Sequence, residues 1–159
     1  MERWPELHDP VMVYAFAGWV DSGYVGAGTV AALAEQMESA KRFATLDLTE
    51  LLDLQQVRPT VKLDEGGIRS IEWPQIELIA GSLGRDVVLA FGPEPSIKWR
   101  DVSAALVDMA LRLGVTEAVA VGGMPGFVSH RRPVKSPSSR GRGPCPLKAK
   151  YTRPHRRAP

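Results

Sequence analysis

Val11-Met-Val-Tyr-Ala-Phe16, followed by Gly18-Trp-Val-Asp-Ser-Gly23 and an amphipathic stretch over 24–39, decides the fold class of this chain. The first segment is a short, mostly apolar run bounded by Pro10 and Gly18, which predicts a buried strand. In the third, Val30, Leu33, Ala34 and Met37 recur at helical spacing while Glu35 and Glu38 face away. Asp21 or Ser22 is placed to cap that helix. Lys41 to Leu48 predicts a second strand, so strand, glycine-rich turn, helix and strand form a parallel crossover unit.

Outward from this unit the pattern changes and then returns. Thr60-Val-Lys-Leu63 and 68–73 alternate around Asp64-Glu-Gly-Gly67, a hairpin signal with glycines available for positive φ. Ile76 to Ala80 predicts a third antiparallel strand beside that hairpin. Asp86-Val-Val-Leu-Ala-Phe91 is again a continuous apolar run, as expected of a strand buried on both faces, and ends at Gly92-Pro-Glu-Pro95. Trp99 to Leu113 predicts a helix with Val102, Ala105, Leu106, Met109, Ala110 and Leu113 on one face and Gly114 as its stop. Glu117-Ala-Val-Ala-Val-Gly-Gly123 predicts a further short strand and a glycine turn. The expected fold is α/β: a mostly parallel sheet with flanking helices and an antiparallel hairpin insert. Loops after Phe16, Phe91 and Val121 then meet at the carboxyl ends of the strands, where such sheets place ligand crevices.

Charge divides the chain in two. Residues 1–128 hold all 18 acidic residues and ten of the 20 basic ones, a net charge of −8. Residues 129–159 carry the other ten Lys and Arg, no acid, and six of the 13 prolines. Residues 135–159 lack periodicity and have the composition of a disordered tail. An Arg/Pro/Gly/Ser/Ala-rich run without acids is also what a GC-rich gene yields out of frame. The tail has one non-histidine aromatic, Tyr151, so its expected attraction to nucleic acid is non-specific and salt-sensitive. A single cysteine, Cys145, argues against a disulfide scaffold. No apolar run is long enough to span a bilayer, and the first residues do not resemble a secretory signal. A cytoplasmic location is expected.

Chemistry-bearing patterns are incomplete. Gly18, Gly23, Gly26 and Gly28 sit where phosphate loops sit, but Tyr24-Val25 replaces the Lys-Ser/Thr pair that would reach phosphate and magnesium. A tight turn with close helix packing is favoured over nucleotide binding. His8, His130 and His155 have no metal-ligand spacing, so no metal or other cofactor is expected. No Gly-x-Ser-x-Gly elbow is present. Asp21, Asp53 and Glu94 adjoin strand ends, where carboxylates more often cap helices than work as an acid–base pair. Candidate ligand or partner contacts are Gly18, Trp19, Asp21, Gly23, Glu94, Trp99, His130 and Arg132; none is assigned a catalytic role. Trp19 and Trp99 are read first as loop anchors in the core and second as aromatic walls of a ligand site.

Read together, the landmarks resemble the bacterial, actinobacterial-type branch of the proteasome assembly chaperone 2 family. They are Phe16-Ala-Gly-Trp-Val-Asp-Ser-Gly23, Asp53-Leu-Gln55 with Arg58-Pro59, and Gly67-Ile-Arg-Ser-Ile-Glu-Trp-Pro74. Then come Gly92-Pro-Glu-Pro95 with Trp99-Arg100, and Gly122-Gly123 leading to His130-Arg-Arg-Pro133. The resemblance covers 11–134 and implies a fold similar to nucleoside phosphorylases. It also implies a protein-binding, chaperone-like role without an assigned activity, with proteasome subunits as partners. Its departures are Arg131, where the family pattern has Thr, and Arg157-Ala-Pro159, where docking chaperones end in a hydrophobic-Tyr-x sequence. The family domain also continues where this chain enters its basic segment. The expectation is therefore a partial domain over 1–134, from a C-terminally truncated or frameshifted member, with a tail over 135–159. The sheet is then expected to be incomplete, exposing apolar side chains such as Val119 and Val121 and favouring self-association. The alternative is a small-molecule or nucleotide-binding protein, or a ligase-type enzyme, using the strand-end crevice.

Overall fold

β1 (Val11–Ala17) is the strand on which both halves of the core are built. In the computed structural model, which describes residues 4–67, 69–126, 129 and 131, its side chains alternate between two apolar layers. Met12, Tyr14 and Phe16 face one layer, and Val13 and Ala15 the other. The chain divides into a unit Met1–Pro125, which holds every element described below, and a unit Gly126–Pro159.

After β1 come a single 3-10 turn, Ser22–Tyr24, and α1 (Val25–Gln36). β2 (Glu38–Asp47), β3 (Thr60–Leu63), β4 (Arg69–Glu72), β5 (Gln75–Ser82) and β6 (Asp86–Pro93) follow. α2 (Trp99–Arg112) and β7 (Glu117–Ala120) complete the order. The main sheet has five strands in the order β2-β5-β6-β1-β7. β1 is parallel to β6 and β7, while β5 is antiparallel to both β2 and β6. Four strands therefore point one way and β5 alone runs against them. β1 and β2 have the parallel sense expected of the crossover, with β6 and β5 between them.

The expectation for 76–80 needs correction. β5 is antiparallel, but it lies inside the main sheet rather than beside the hairpin. Ile76 and Leu78 are fully buried there. The hairpin, β3 with β4, stands as a separate two-stranded ribbon. The helix predicted over 24–39 also ends earlier, at Gln36. Met37 is extended and β2 begins at Glu38.

Each helix covers one face. Val30, Leu33 and Ala34 of α1, with Met37 just beyond it, pack on Ala15, Val87 and Leu89. Val102, Leu106, Met109 and Ala110 of α2, with Leu113 and the 48–57 segment, cover Met12, Leu78, Val88 and Ala90 on the other. One helix is about 10 Å wide, whereas five strands span roughly 19 Å, so α1 cannot cover the whole sheet. A groove of about 430 Å³ runs beside it, lined by Ala31, Ala34, Glu77, Ile79 and Phe91. β7 is one of the two edge strands, and all four of its residues are exposed. Val119 is exposed as expected. Val121 is half-buried instead; its amide donates to the Tyr14 carbonyl (2.9 Å), which keeps the chain alongside β1 one residue past β7. Among the described residues, no helix is long and apolar enough to cross a membrane.

At the end of β2, the Thr49 hydroxyl (2.6 Å) and amide (2.8 Å) donate to one Asp47 oxygen. The hydroxyl first, and then the amide, hold the Asp47 carboxyl below its ordinary value. A depressed folded-state value stabilises the fold above the unfolded carboxylate range, and that stability is lost as pH falls through the lowered value. Thr49→Val is expected to raise the Asp47 titration toward the ordinary range. A carboxyl-carbon NMR titration reads the shift, and an unmoved midpoint refutes this account.

Candidate functional site

Because β1, β6 and β7 are parallel neighbours, the loops that follow them leave the same end of the sheet. Backbone hydrogen bonds tie the three loops together. The Glu94 amide donates to the Ala17 carbonyl (2.9 Å), the Ser22 amide to Gly123 (2.9 Å), and the Gly123 amide to Val20 (2.8 Å). A parallel bridge joins Asp21 to Gly123. The 48–57 segment joins from the side, where the Asp53 amide donates to Ser96 Oγ (2.9 Å) and the Ser96 amide to the Leu51 carbonyl (2.9 Å).

The carboxyl groups at this end are engaged by the loops themselves. Asp21 is 6% exposed, and its two oxygens accept the Gly26 amide (2.6 Å) and the Ala27 amide (3.3 Å) in the first turn of α1. It caps the helix as expected, but from farther upstream. The 3-10 turn intervenes and puts Tyr24, in a left-handed conformation, at the cap position. Glu94 Oε2 accepts the Trp19 amide (2.9 Å). A side chain at Gly18 would collide with the Glu94 carboxylate and lie 2.7 Å from Glu94 Cβ, so glycine there makes room for this contact. Asp53 accepts the Gln55 amide (2.9 Å) and the Gln56 side-chain amide (3.0 Å), closing its own turn.

The glycines have structural uses at this end. Gly23 adopts φ 73° in the turn. A Cβ on Gly26 would sit 2.9 Å from both Ala15 Cβ and the Val121 carbonyl, so this glycine lets α1 lie close on β1.

Beside the exposed Ser96 and Lys98, the loops present large apolar side chains outward. Trp19 is 74% exposed and Tyr24 78%, so the reading of Trp19 as a core anchor is overturned. Trp99 is intermediate in role. Its ring meets Phe16 edge-on (centroids 6.3 Å apart, 81°), yet it is still 42% exposed. Ile97 and Met124 extend the exposed set onto the loops after β6 and β7. Tyr24, Ile97 and Met124 were not among the sequence candidates. The available signal was a large apolar residue in each loop that leaves this end of the sheet. His130 and Arg132 lie outside the described residues. A separate cavity of about 700 Å³ lies near the opposite strand ends, lined by Trp4, Leu7, Arg42, Phe43 and Asp86 among others, and includes no candidate residue.

Comparison with known proteins bears on the same region. A PAC2 crystal structure from Streptomyces avermitilis is 43% identical with a TM-score of 0.73, covering 79% of this chain and 54% of that one. The structure of a Mycobacterium tuberculosis proteasome-assembly chaperone homologue is 32% identical with a TM-score of 0.71, covering 77% and 53%. The Pyrococcus furiosus archaeal proteasome activator PbaB shares the fold at 18% identity and a TM-score of 0.56, covering 75% and 48%. The chain spans about half the length of these structures. No curated protein matches it. The PAC2 family model matches residues 15–143, from the middle of β1 past all three strand-end loops. With that match and the shared fold, this chain belongs to the PAC2 family.

Proposed function

We propose that this PAC2 chain acts by binding proteins, with proteasome subunits as partners, through the loop surface at the carboxyl ends of β1, β6 and β7, and that it catalyses no reaction there. The observation that carries the reading is the contrast between the two kinds of side chain at that end. The Asp21 and Glu94 carboxyls are turned onto backbone amides, while Trp19, Tyr24, Ile97 and Met124 are offered to solvent. Exposed aromatic and aliphatic residues on a hydrogen-bonded loop frame suit a protein partner, which gains most from large apolar anchors. The mycobacterial relative described as a proteasome-assembly chaperone homologue supports the choice of partner.

Capture of proteasome α-subunits from the organism that encodes the chain tests this. Trp19→Ala and Ile97→Asp are each expected to lower capture about tenfold or more, as loss of an interface anchor does. No enrichment of α-subunits, or capture indifferent to both substitutions, refutes the reading.

The second reading is a small-molecule or nucleotide site on the same loops. Exposed Trp19 and Trp99 at these loops, with the half-buried Glu94 carboxyl bound to the Trp19 amide, are the observation in its favour. A thermal-shift screen of nucleosides and nucleotides separates the two. Stabilisation that Glu94→Ala abolishes favours the ligand site, and a flat screen favours the protein surface.

A further inference from the structure

The β3–β4 ribbon has one polar and one apolar face, and among the described residues both are exposed. Its register pairs Thr60 with Glu72, Val61 with Ile71, Lys62 with Ser70 and Leu63 with Arg69. The polar face is closed by a Lys62–Glu72 ion pair (2.7 Å). On the other face, Leu63, Val61 and Ile71 lie together with Arg69 opposite Leu63, and Trp73 follows them where the alternation runs one step past β4. The four apolar residues are each at least half exposed. A two-stranded ribbon with an open apolar face is marginal by itself in water.

We infer that this face is the contact between two copies of the chain, stacked face to face about a two-fold axis at Val61 and Ile71. Two such stackings are possible, and charge chooses between them. With the ribbons aligned, the two turns bearing the exposed Glu65 come together and repel. With one ribbon reversed, the turn bearing Glu65 reaches the partner's open end, where Arg58 is exposed. The reversed stacking also sets Arg69 over the Trp73 ring of its partner, a cation–π pair formed twice by the symmetry. The four apolar side chains expose on the order of 500 Å² per copy, against roughly 800 Å² per partner in a standard interface, so the dimer is expected to be weak. This interface is independent of the strand-end surface, and its failure leaves the proposed function standing.

Sedimentation of the full chain is expected to show a dimer with Kd on the order of 10 μM. Ile71→Glu is expected to raise Kd about 100-fold or more. Glu65→Arg and Arg58→Glu should each weaken the dimer, and the double variant should restore it. These two exposed positions keep the test valid even if Ile71→Glu misfolds. Val119→Glu, on the β7 edge, should leave the dimer intact. A monomer at about 200 μM, well above that Kd, overturns the inference. So does a dimer that survives Ile71→Glu or dissolves in Val119→Glu, or one that the double charge reversal does not restore.

Discussion

Gly92→Ala is expected to destabilise the fold by about 3 kcal/mol, at the upper end of what one added methyl costs in a packed core. Gly92 lies in β6, opposite Phe16 of β1, and is buried. A Cβ there would stand 2.6 Å from the Gln75 carbonyl oxygen, 2.7 Å from Ile76 Cα and 2.8 Å from Ile76 Cγ1. Two of those atoms are backbone in the neighbouring strand. They cannot turn aside as the end of a flexible side chain would, so β5 and β6 must separate. Gly28→Ala is the control. It lies in α1 with nothing within 4 Å of an added Cβ. Alanine there is expected to raise stability by about 0.5–1 kcal/mol, through helix propensity alone. Urea unfolding of both variants checks the pair. A Gly92→Ala loss no larger than about 0.5 kcal/mol, the usual size of a surface effect, shows that the sheet yields without strain.

Asp21→Ala is expected to cost about 2 kcal/mol. The side chain accepts two amides from the first turn of α1, where helix N–H groups have no partner inside the helix. It does so while buried, so the truncated variant leaves the buried Gly26 amide without its acceptor. Asp21→Asn keeps an acceptor but loses the charge that favours the positive end of the helix, and about half the loss is expected. Hydrogen exchange at the Gly26 amide distinguishes this account from general damage. It should accelerate in Asp21→Ala by more than amides in the middle of β6 do. Equal acceleration everywhere, or a loss below about 0.5 kcal/mol, contradicts the capping role.

These two residues also show how far the amino-acid sequence reaches. Asp21 was legible as a helix cap because capping is local: acceptor and donors lie within six residues of each other. Gly92 was legible only as the end of a strand. Its need for glycine comes from Gln75 and Ile76, which the chain brings beside it through the β5–β6 pairing.

The same division holds across the molecule. Apolar runs and helical spacing determined β1, β6 and α2, because those patterns report which face of an element avoids water, and alternation around Gly66-Gly67 determined the hairpin. They do not report which strand lies alongside. Segment 76–80 is a short, mostly apolar strand signal that follows the hairpin directly, so pairing with the hairpin was the local expectation. Tertiary structure placed β5 between β2 and β6 instead, where Ile76 and Leu78 find apolar cover that the exposed ribbon cannot offer. The candidate site divides in the same way. The sequence determined that Gly18, Trp19, Asp21, Glu94 and Trp99 adjoin strand ends. Only the tertiary structure decided that Asp21 and Glu94 turn inward to backbone amides while Trp19 turns out. That outcome depends on how three loops, distant in the chain, satisfy one another's hydrogen bonds once parallel pairing brings them together.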